Sequence, residues 1–191
     1  MKIFFFGGSF DPPHKGHLSI IQSCITESGK LILLPTKKSP MKDHIPIASS
    51  YHRIQMLELL IQDIKHPIVI DDWEINNSKP NYTYSTIKYL QKKYFDSTLF
   101  MVIGGDQLEQ FCNWKNHEKI MNIVKIVAFN RSNYKFKSLN GMQINWIQNF
   151  KNTTSSSSIR EEILQGNIHI EGLTKEIQQY IQDNKLYGYK S

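Results

Sequence analysis

The chain has 191 residues, of which 40% are hydrophobic and 21% charged; these are ordinary fractions for a globular protein and exclude disorder throughout. A formal charge of +6 at pH 7 and a pI near 9.2 fit nucleic acid, a membrane surface or a small anionic substrate, so charge alone does not choose a partner. The opening apolar run is too short for a signal peptide, and no later run could span a bilayer, so we expect a cytoplasmic protein. No linker divides the chain, so we expect a single domain over residues 1–191.

The first predicted element is the apolar run KIFFF at residues 2–6, which is typical of a strand. Gly7 and Gly8 follow it, and we predict that they end the strand in a sharp turn where a side chain would clash or block a ligand. The two prolines of DPPH cannot continue a sheet ladder, and the following GHLSIIQSCITES has apolar residues at helical spacing. The sequence therefore predicts strand, glycine turn and then a helix over 15–28.

Two histidines lie at the expected start of that helix. If the helix begins near His14, the spacing His14-x-x-His17 places both rings on one face of its first turn, beside amide groups that have no intrahelical partner. This arrangement predicts an anion site with two imidazoles in it. Two simpler interpretations stay open: the histidines line a surface, or they bind a metal, although a zinc site needs more ligands than two.

The rest of the chain alternates apolar runs with amphipathic segments. This alternation predicts an α/β fold, a doubly wound Rossmann-like parallel sheet covered on both faces, in which ligands bind beyond the carboxyl ends of the strands. Cys24 and Cys112 belong to no CxxC pattern, so we expect two reduced thiols and no cysteine nucleophile. The predicted strands are 2–6, 30–35, 67–72, 98–105, 125–129 and 144–147, and the predicted helices between them are 15–28, 49–64 and 84–94.

A serine-rich segment, TTSSSSIREEI at 153–163, allows two interpretations. Four consecutive serines are typical of a flexible linker. The hydroxyl residues also precede an amphipathic turn that contains two glutamates, which is the pattern of a capped helix start. In the second case hydroxyls, free amides and Arg160 face one point and form a second anion site.

Both anion motifs resemble those of one family. SFDPPHKGH at 9–17 is similar to the (T/S)FDPxHxGH signature of nucleotidylyltransferases, and TSSSSIR at 154–160 is similar to the ISSTxIR motif of the nicotinate-nucleotide adenylyltransferases, with Thr154 and Ser157 in place of Ile and Thr. The resemblance covers nearly the whole chain. Further segments that resemble this family are SPMK (39–42), HRIQML (52–57), NYTYSTI (81–87), IGGDQLEQFCNWKNHEKIM (103–121) and IQQYIQDNKLYG (177–188).

The resemblance implies transfer of the adenylyl group from ATP to nicotinate mononucleotide, with Mg²⁺ held mainly by the ATP phosphates and no metal ligands from the protein. It implies that His14, His17 and Arg160 are catalytic. The ATP-binding residues that it implies are Gly7, Gly8, Ser9, Phe10, His14, His17, Ser156, Ser157 and Arg160. The implied nicotinate-nucleotide site comprises Lys42, Thr83, Asp106, Trp114 and Lys115, in which an aromatic ring stacks on the pyridine while Thr83 and the backbone near Lys115 meet its carboxylate.

Several of these residues also have a purely structural interpretation. Asp106 and Thr83 each suit a helix N-cap, and Trp114 suits a core position. Met41 stands where the family has His, although Lys42 is retained. Two alternative functions remain: a pantetheine-phosphate adenylyltransferase, which shares the opening motif, and a nucleic-acid-binding module, for which no clustered basic stripe is found. We expect neither nucleic acid nor membrane as a partner, and the sequence leaves the oligomeric state and strict acid-over-amide preference open.

Overall fold

The fold is built on one parallel β-sheet. The computed structural model describes residues 1–38, 45–77, 81–129, 144–147 and 154–189. Its six strands lie in the order β3-β2-β1-β4-β5-β6, so the strand order reverses between β1 and β4. This is the predicted doubly wound α/β architecture. The strands are β1 (Lys2–Gly8), β2 (Lys30–Pro35), β3 (Ile68–Ile70), β4 (Thr98–Gly104), β5 (Lys125–Phe129) and β6 (Ile144–Ile147).

Helices cover both faces of the sheet, because successive side chains of each strand point to opposite faces. Phe4 and Phe6 of β1 pack on one face, and Ile3 and Phe5 on the other. The first face carries α1 (Lys15–Ile25), α2 (Ser50–Ile61), α7 (Ser156–Leu164) and α8 (Lys175–Asp183). The second face carries α4 (Thr83–Lys93), α5 (Gly105–Glu109), a 3-10 turn (Phe111–Asn113) and α6 (His117–Met121).

The predicted helices are found with slightly different ends, and several short elements were not predicted. The helix expected over 49–64 is α2, whose N-cap is Ser49, and the helix expected over 84–94 is α4. The α5 and α6 helices and α3 (Trp73–Asn76) have five residues or fewer. A helix this short completes little more than one turn, so its sequence cannot display a helical period. No helix in the described ranges is long and apolar enough to cross a membrane.

Both cysteines are free thiols, as predicted. Cys24 is a buried residue of α1, and burial raises the pKa of its thiol to about 12. Cys112 is exposed. A thiol with the pKa of Cys24 stays protonated at neutral pH, so that residue is a packing residue and not a nucleophile.

Candidate active site

A cavity of about 860 Å³ opens at the carboxyl ends of β1 and β4, the point where the strand order reverses. Parallel sheets of this kind bind ligands there. Lys42 and Met41 lie outside the described residues. The predicted site residues that line the cavity are Gly7, Gly8, Ser9, Phe10, His14, His17, Thr83, Asp106, Trp114, Lys115, Ser156, Ser157 and Arg160.

The predicted turn at the double glycine is wrong. Gly7 and Gly8 are the last residues of β1 and still pair with β2, and the chain turns at Phe10, which has a φ of 49°. A Cβ atom at Gly8 would lie 3.1 Å from the Phe10 ring, whereas at Gly7 its nearest neighbour would be the Leu34 carbonyl oxygen at 3.9 Å. Gly8 therefore admits a buried phenylalanine, and Gly7 leaves the cavity floor open.

The two histidines cap α1 and contact each other. His14 is the N-cap, and its Nδ1 accepts a hydrogen bond from the Gly16 amide at 3.1 Å; the His17 Nδ1 accepts one from the His14 amide at 3.2 Å. The ring centroids lie 3.9 Å apart, and both residues are buried. Because each Nδ1 is an acceptor, the proton of each neutral ring lies on Nε2.

This capping corrects one expectation about the first motif. The amides at the start of α1 were expected to face an anion, but the Gly16 amide donates to His14 and the Lys15 amide donates to the Gly172 carbonyl oxygen at 2.9 Å. These two amides are consequently bonded within the chain and are not directed at a ligand.

The serine-rich segment forms a capped helix start over its described residues, so the linker interpretation is wrong there. Ser155 is the N-cap of α7: its Oγ accepts from the Ser158 amide at 3.0 Å, and the Ser158 Oγ accepts from the Ser155 amide at 3.2 Å. The amides of Ser156 and Ser157 have no acceptor within the described chain, as is usual at the first positions of a helix. The start of α7 thus lines the cavity with free donors.

Arg160 and Ser156 join the two motifs to each other. The Arg160 guanidinium donates to the Asp11 carbonyl oxygen at 2.6 Å and to the Ser157 hydroxyl at 3.2 Å, and the Ser156 hydroxyl donates to the Pro12 carbonyl oxygen at 2.9 Å. The guanidinium also lies 3.9 Å from the Asp11 carboxylate. The cationic side chain is therefore held at the cavity wall by the loop that precedes the histidines.

Asp11 was not among the predicted site residues, although it lies inside the motif that resembles the family. Its buried carboxylate accepts hydrogen bonds from the amides of Ile47 and Ala48 at 2.7 and 3.0 Å and from the Tyr187 hydroxyl at 2.9 Å. Burial and the adjacent Asp11 charge raise the pKa of the Tyr187 hydroxyl well above its usual range. Asp11 therefore ties the 3-10 turn Leu186–Gly188, which contains Tyr187, to the loop between β1 and α1.

Arg53 supports the same loop from α2 and was also missed. Its side chain is buried and donates to the Ser9 carbonyl oxygen at 2.6 Å and to the Ser50 hydroxyl at 3.1 Å. Desolvation lowers the pKa of this guanidinium, and the Asp11 charge opposes that change. Arg53 lies in HRIQML (52–57), a segment that resembles the family, but the resemblance did not predict a role for this side chain.

At the other face of the sheet, the N-cap interpretations of Thr83 and Asp106 are wrong. Thr83 is the first residue of α4, whose N-cap is Tyr82, and Asp106 is the second residue of α5, whose N-cap is Gly104. A Cβ atom at Gly104 would lie 2.5 Å from the Asp106 carboxylate. Gly104 therefore leaves room for this carboxylate beside the end of β4.

Trp114 and Lys115 follow the 3-10 turn. Trp114 is half-buried and packs on Phe111 with ring centroids 5.3 Å apart, so it contacts the core and lines the cavity at once. The Lys115 ammonium lies 4.7 Å from the centroid of the Tyr82 ring, beside Thr83. An aromatic face, a hydroxyl and an ammonium thus meet at this end of the cavity.

A buried polar cluster behind Thr83 was missed entirely. The Glu74 carboxylate accepts from the Thr86 hydroxyl at 2.6 Å, and the Asn81 side-chain amide donates to the Glu74 carbonyl oxygen. Burial raises the pKa of Glu74 above its usual range, and hydrogen bonds from Thr86 and Thr36 oppose that change. Glu74 lies in the four-residue α3, where no periodic pattern marked it.

The side chains at the His14 and His17 end of the cavity that could ligate a metal already take part in hydrogen bonds. No group of three His, Cys, Asp or Glu side chains in the part of the chain that the structure describes could hold a metal ion. His14 and His17 each use Nδ1 as an acceptor for a backbone amide, and the Asp11 carboxylate is occupied by Ile47, Ala48 and Tyr187. The polar groups at this end are mainly donors, which suit an anion.

Comparison with known proteins gives one consistent group of relatives. The cytidylyltransferase-like family model matches residues 5–162. A probable nicotinate-nucleotide adenylyltransferase from Methylacidiphilum infernorum (isolate V4) is 31% identical over 188 residues, which are 97% of this chain and 92% of the relative. The nicotinate-nucleotide adenylyltransferase of Bacillus subtilis (strain 168) is 27% identical over 188 residues, covering 97% of this chain and 98% of that protein.

Solved structures with a similar fold carry a related name. The Plasmodium falciparum nicotinic acid mononucleotide adenylyltransferase complexed with APC has a TM-score of 0.80 and 21% identity over 99% of this chain and 98% of its own. The same enzyme complexed with NaAD has a TM-score of 0.79 and 19% identity, with the same coverage of both chains. At these identities the likeness establishes the fold.

Proposed function

The chain belongs to the nicotinate-nucleotide adenylyltransferases of the cytidylyltransferase-like family, and on this premise we propose that it transfers the adenylyl group of ATP to nicotinate mononucleotide. The products are nicotinate adenine dinucleotide and pyrophosphate, on the route to NAD. The observation that supports this most is the junction of the two motifs: Arg160 and Ser156 of α7 bond to the loop that leads into His14 and His17 at the start of α1. That junction gathers donors for a triphosphate at one wall of the cavity.

The reaction needs no protein nucleophile. A phosphate oxygen of the mononucleotide attacks the α-phosphorus of ATP in line, a new P–O bond forms, and the bond from the α-phosphorus to the bridging oxygen breaks as pyrophosphate leaves. The attacking phosphate is already an anion at neutral pH. The protein therefore has to position two mutually repelling anions and stabilise the negative charge that grows on the leaving oxygens.

The donors at the phosphate end suit this task. The proton on Nε2 of His14 and of His17 is fixed there by the backbone hydrogen bonds to Nδ1, so each neutral ring offers N–H to a phosphate oxygen. Arg160 adds a permanent positive charge with paired N–H groups, and the free amides of Ser156 and Ser157 add two more donors. We assign the adenosine triphosphate to this end, with Gly7, Gly8, Ser9 and Phe10 forming its floor.

We propose that Mg²⁺ enters bound to ATP. Apart from Asp11, whose carboxylate is bonded to Ile47, Ala48 and Tyr187, the described polar side chains proposed to meet the triphosphate are hydrogen-bond donors and cations. Mg²⁺ prefers oxygen ligands, and in this proposal phosphate oxygens and water supply them. When bound, such an ion would neutralise part of the triphosphate charge. In this proposal His14, His17 and Arg160 contact phosphate oxygens and not the metal.

The mononucleotide is assigned to the opposite end of the cavity. Trp114 offers a ring face on which the pyridine can stack, and Thr83 with the backbone near Lys115 offers donors to its carboxylate. We assign Asp106, which lines the cavity, as an acceptor for ribose hydroxyls. Lys42 remains a proposed contact of the same mononucleotide.

We also propose that the enzyme is located in the cytoplasm, where ATP is available.

An experiment with two differently labelled ATP samples tests the proposal. With Mg²⁺ and nicotinate mononucleotide, label on the α-phosphate should appear in the dinucleotide, and label on the γ-phosphate should appear in pyrophosphate. Phosphopantetheine, offered in a parallel reaction, should accept no label. Transfer to phosphopantetheine alone would replace this function by that of the related adenylyltransferase, and absence of transfer to any acceptor would reject adenylyl transfer.

A further inference from the structure

We propose that the side-chain ammonium of Lys115, held over the Tyr82 ring, is a specificity-determining charge that favours a mononucleotide with a carboxylate on its ring over one with a carboxamide. This inference rests on the proposed function and concerns its acceptor site. It assigns a role to the side chain of Lys115, in addition to the role proposed above for the nearby backbone.

The first observation is the distribution of charge around the cavity. Among the described residues that line it, the side chains with a permanent positive charge are Arg160 and Lys115. Arg160 extends from α7 on one face of the sheet, and Lys115 follows Trp114, which packs on the opposite face. The phosphate groups of the substrates are assigned to Arg160. Lys115, the other cation, lies at the end of the cavity to which the acceptor ring is assigned.

The second observation is that the Lys115 charge is not neutralised. No carboxylate forms an ion pair with Lys115 within the described ranges, although Lys93, which also lies over a tyrosine ring, pairs with Asp71 at 2.8 Å. The ring of Tyr82 attracts the ammonium through its electron-rich face but carries no net charge. The full charge of Lys115 therefore remains available to a ligand anion.

The third observation is the position of that charge. Tyr82 precedes Thr83, so the ammonium lies next to the start of the 11-residue α4. The first turn of this helix contains no acidic residue, and its N-cap offers no side-chain acceptor. The positive end of the helix and the ammonium thus act in the same direction, and both stabilise a carboxylate more than a neutral amide.

The loop geometry restricts where the ammonium can go. The Trp114 amide donates to the Phe111 carbonyl oxygen at 3.0 Å, and the His117 amide donates to the Trp114 carbonyl oxygen at 3.1 Å. Asn116 has a left-handed backbone with a φ of 62°, so the chain turns sharply after Lys115 and enters α6. Lys115 therefore extends from a short bonded loop whose preceding residue, Trp114, offers the stacking face.

The test compares three variants by the ratio of kcat/KM for nicotinate mononucleotide to kcat/KM for nicotinamide mononucleotide. Lys115→Met removes the charge and keeps the length of the side chain, and Lys115→Arg keeps the charge. Lys119→Met is the matched control, since Lys119 is exposed in α6 a turn away and does not line the cavity. Melting temperatures of all three verify that each variant is folded.

We expect Lys115→Met to lower the ratio about tenfold through a higher KM for the acid, which is the size of one hydrogen bond to a charged group. Lys115→Arg and Lys119→Met should keep the native ratio, and the KM for ATP should stay unchanged in all three. An unchanged ratio in Lys115→Met, or an equal fall in Lys119→Met, would overturn the inference while the native activity stands. No turnover of the acid by the native enzyme would instead reject the proposed function.

Discussion

The two ends of the cavity are built differently. At the phosphate end, the two histidine rings are fixed by backbone hydrogen bonds, and Arg160 is bonded to Asp11 at 2.6 Å. At the acceptor end, Thr83 and Trp114 are half-buried and Lys115 is exposed. Trp114 contacts the Phe111 ring, and the Lys115 ammonium lies over the Tyr82 ring. The side chains at one end are held by hydrogen bonds, and those at the other mainly by ring contacts.

This difference agrees with the roles proposed for the two ends. Donors to a developing charge accelerate a reaction only if they are already in position, because reorganising them during the reaction costs free energy. Choice between two bases needs a difference in affinity and tolerates side chains that adjust to the ligand. We therefore expect substitutions at the phosphate end to lower turnover and substitutions at the acceptor end to change the preferred base.

The largest effect should come from His17→Ala. The substitution removes an Nε2–H donor from the phosphate end, so we expect kcat to fall about 100-fold or more. Steady-state kinetics at saturating ATP and mononucleotide measure it, with Lys15→Ala, an exposed position in the same turn, as the control. Native turnover in a folded His17→Ala protein would remove this histidine from the mechanism, and loss of the fold would indicate a structural role.

Arg160→Ala should have the next largest effect. It removes a charged fork that can hold phosphate oxygens in pairs, so we expect the KM for ATP to rise and kcat to fall, each about tenfold. Arg160→Lys should recover part of the loss, because it restores the charge without the fork. If the variant raised only the KM for the mononucleotide, Arg160 would belong to the acceptor end and the comparison between the two ends would fail.

At the acceptor end, Trp114→Ala should lower the affinity for both mononucleotides, whereas Thr83→Val should change the preference for one over the other. Loss of the stacking face should weaken nicotinate and nicotinamide mononucleotides alike by about tenfold, since both have the same ring. Loss of the Thr83 hydroxyl should reduce the difference in kcat/KM between the two mononucleotides, with little change in kcat. The measurement is kcat/KM for each acceptor; a Thr83→Val enzyme with the native ratio would leave the backbone and Lys115 as the groups that select the acid.

The smallest effect should be a change in stability from Glu74→Gln, within about 1 kcal/mol. Burial raises the pKa of Glu74 above its ordinary value of 4.5. The folded protein therefore holds this proton more tightly than the unfolded chain, and the stability due to the group is lost as the pH rises from 4.5 toward the raised value.

Glutamine does not titrate, so the variant should gain in stability relative to the native protein over that range of pH. Urea unfolding at about pH 4, 6 and 8 measures the difference. A difference that is constant with pH would show that the Glu74 carboxyl titrates alike in the folded and unfolded states.

The sequence was sufficient for the sheet and for two motifs whose described residues line the same cavity. Long apolar runs separated by amphipathic helices have a period that can be recognised, and the two anion motifs are each continuous in the chain. The order of the strands agrees with the doubly wound prediction because the helices cross over both faces.

What the sequence could not predict lies in contacts between distant segments. Asp11 bonds to Tyr187 across 176 positions, and the Glu74 cluster depends on a helix of four residues. The turn predicted at Gly7 and Gly8 was wrong because glycine is used both in sharp turns and where a ring packs against the backbone. Only the position of the Phe10 ring in the fold distinguishes these two uses. The N-caps shifted by one or two residues because Tyr82 and Gly104 cap through their backbones and carry no side-chain signal.

The central claim is adenylyl transfer with nicotinate mononucleotide as the preferred acceptor, and one competition reaction tests it most directly. The native enzyme receives limiting ATP, Mg²⁺ and equal concentrations of nicotinate and nicotinamide mononucleotide, and the two dinucleotides are separated and counted. We predict that nicotinate adenine dinucleotide exceeds NAD by at least about 100-fold. Equal amounts of both products would contradict the assigned acceptor, and an excess of NAD would reverse it.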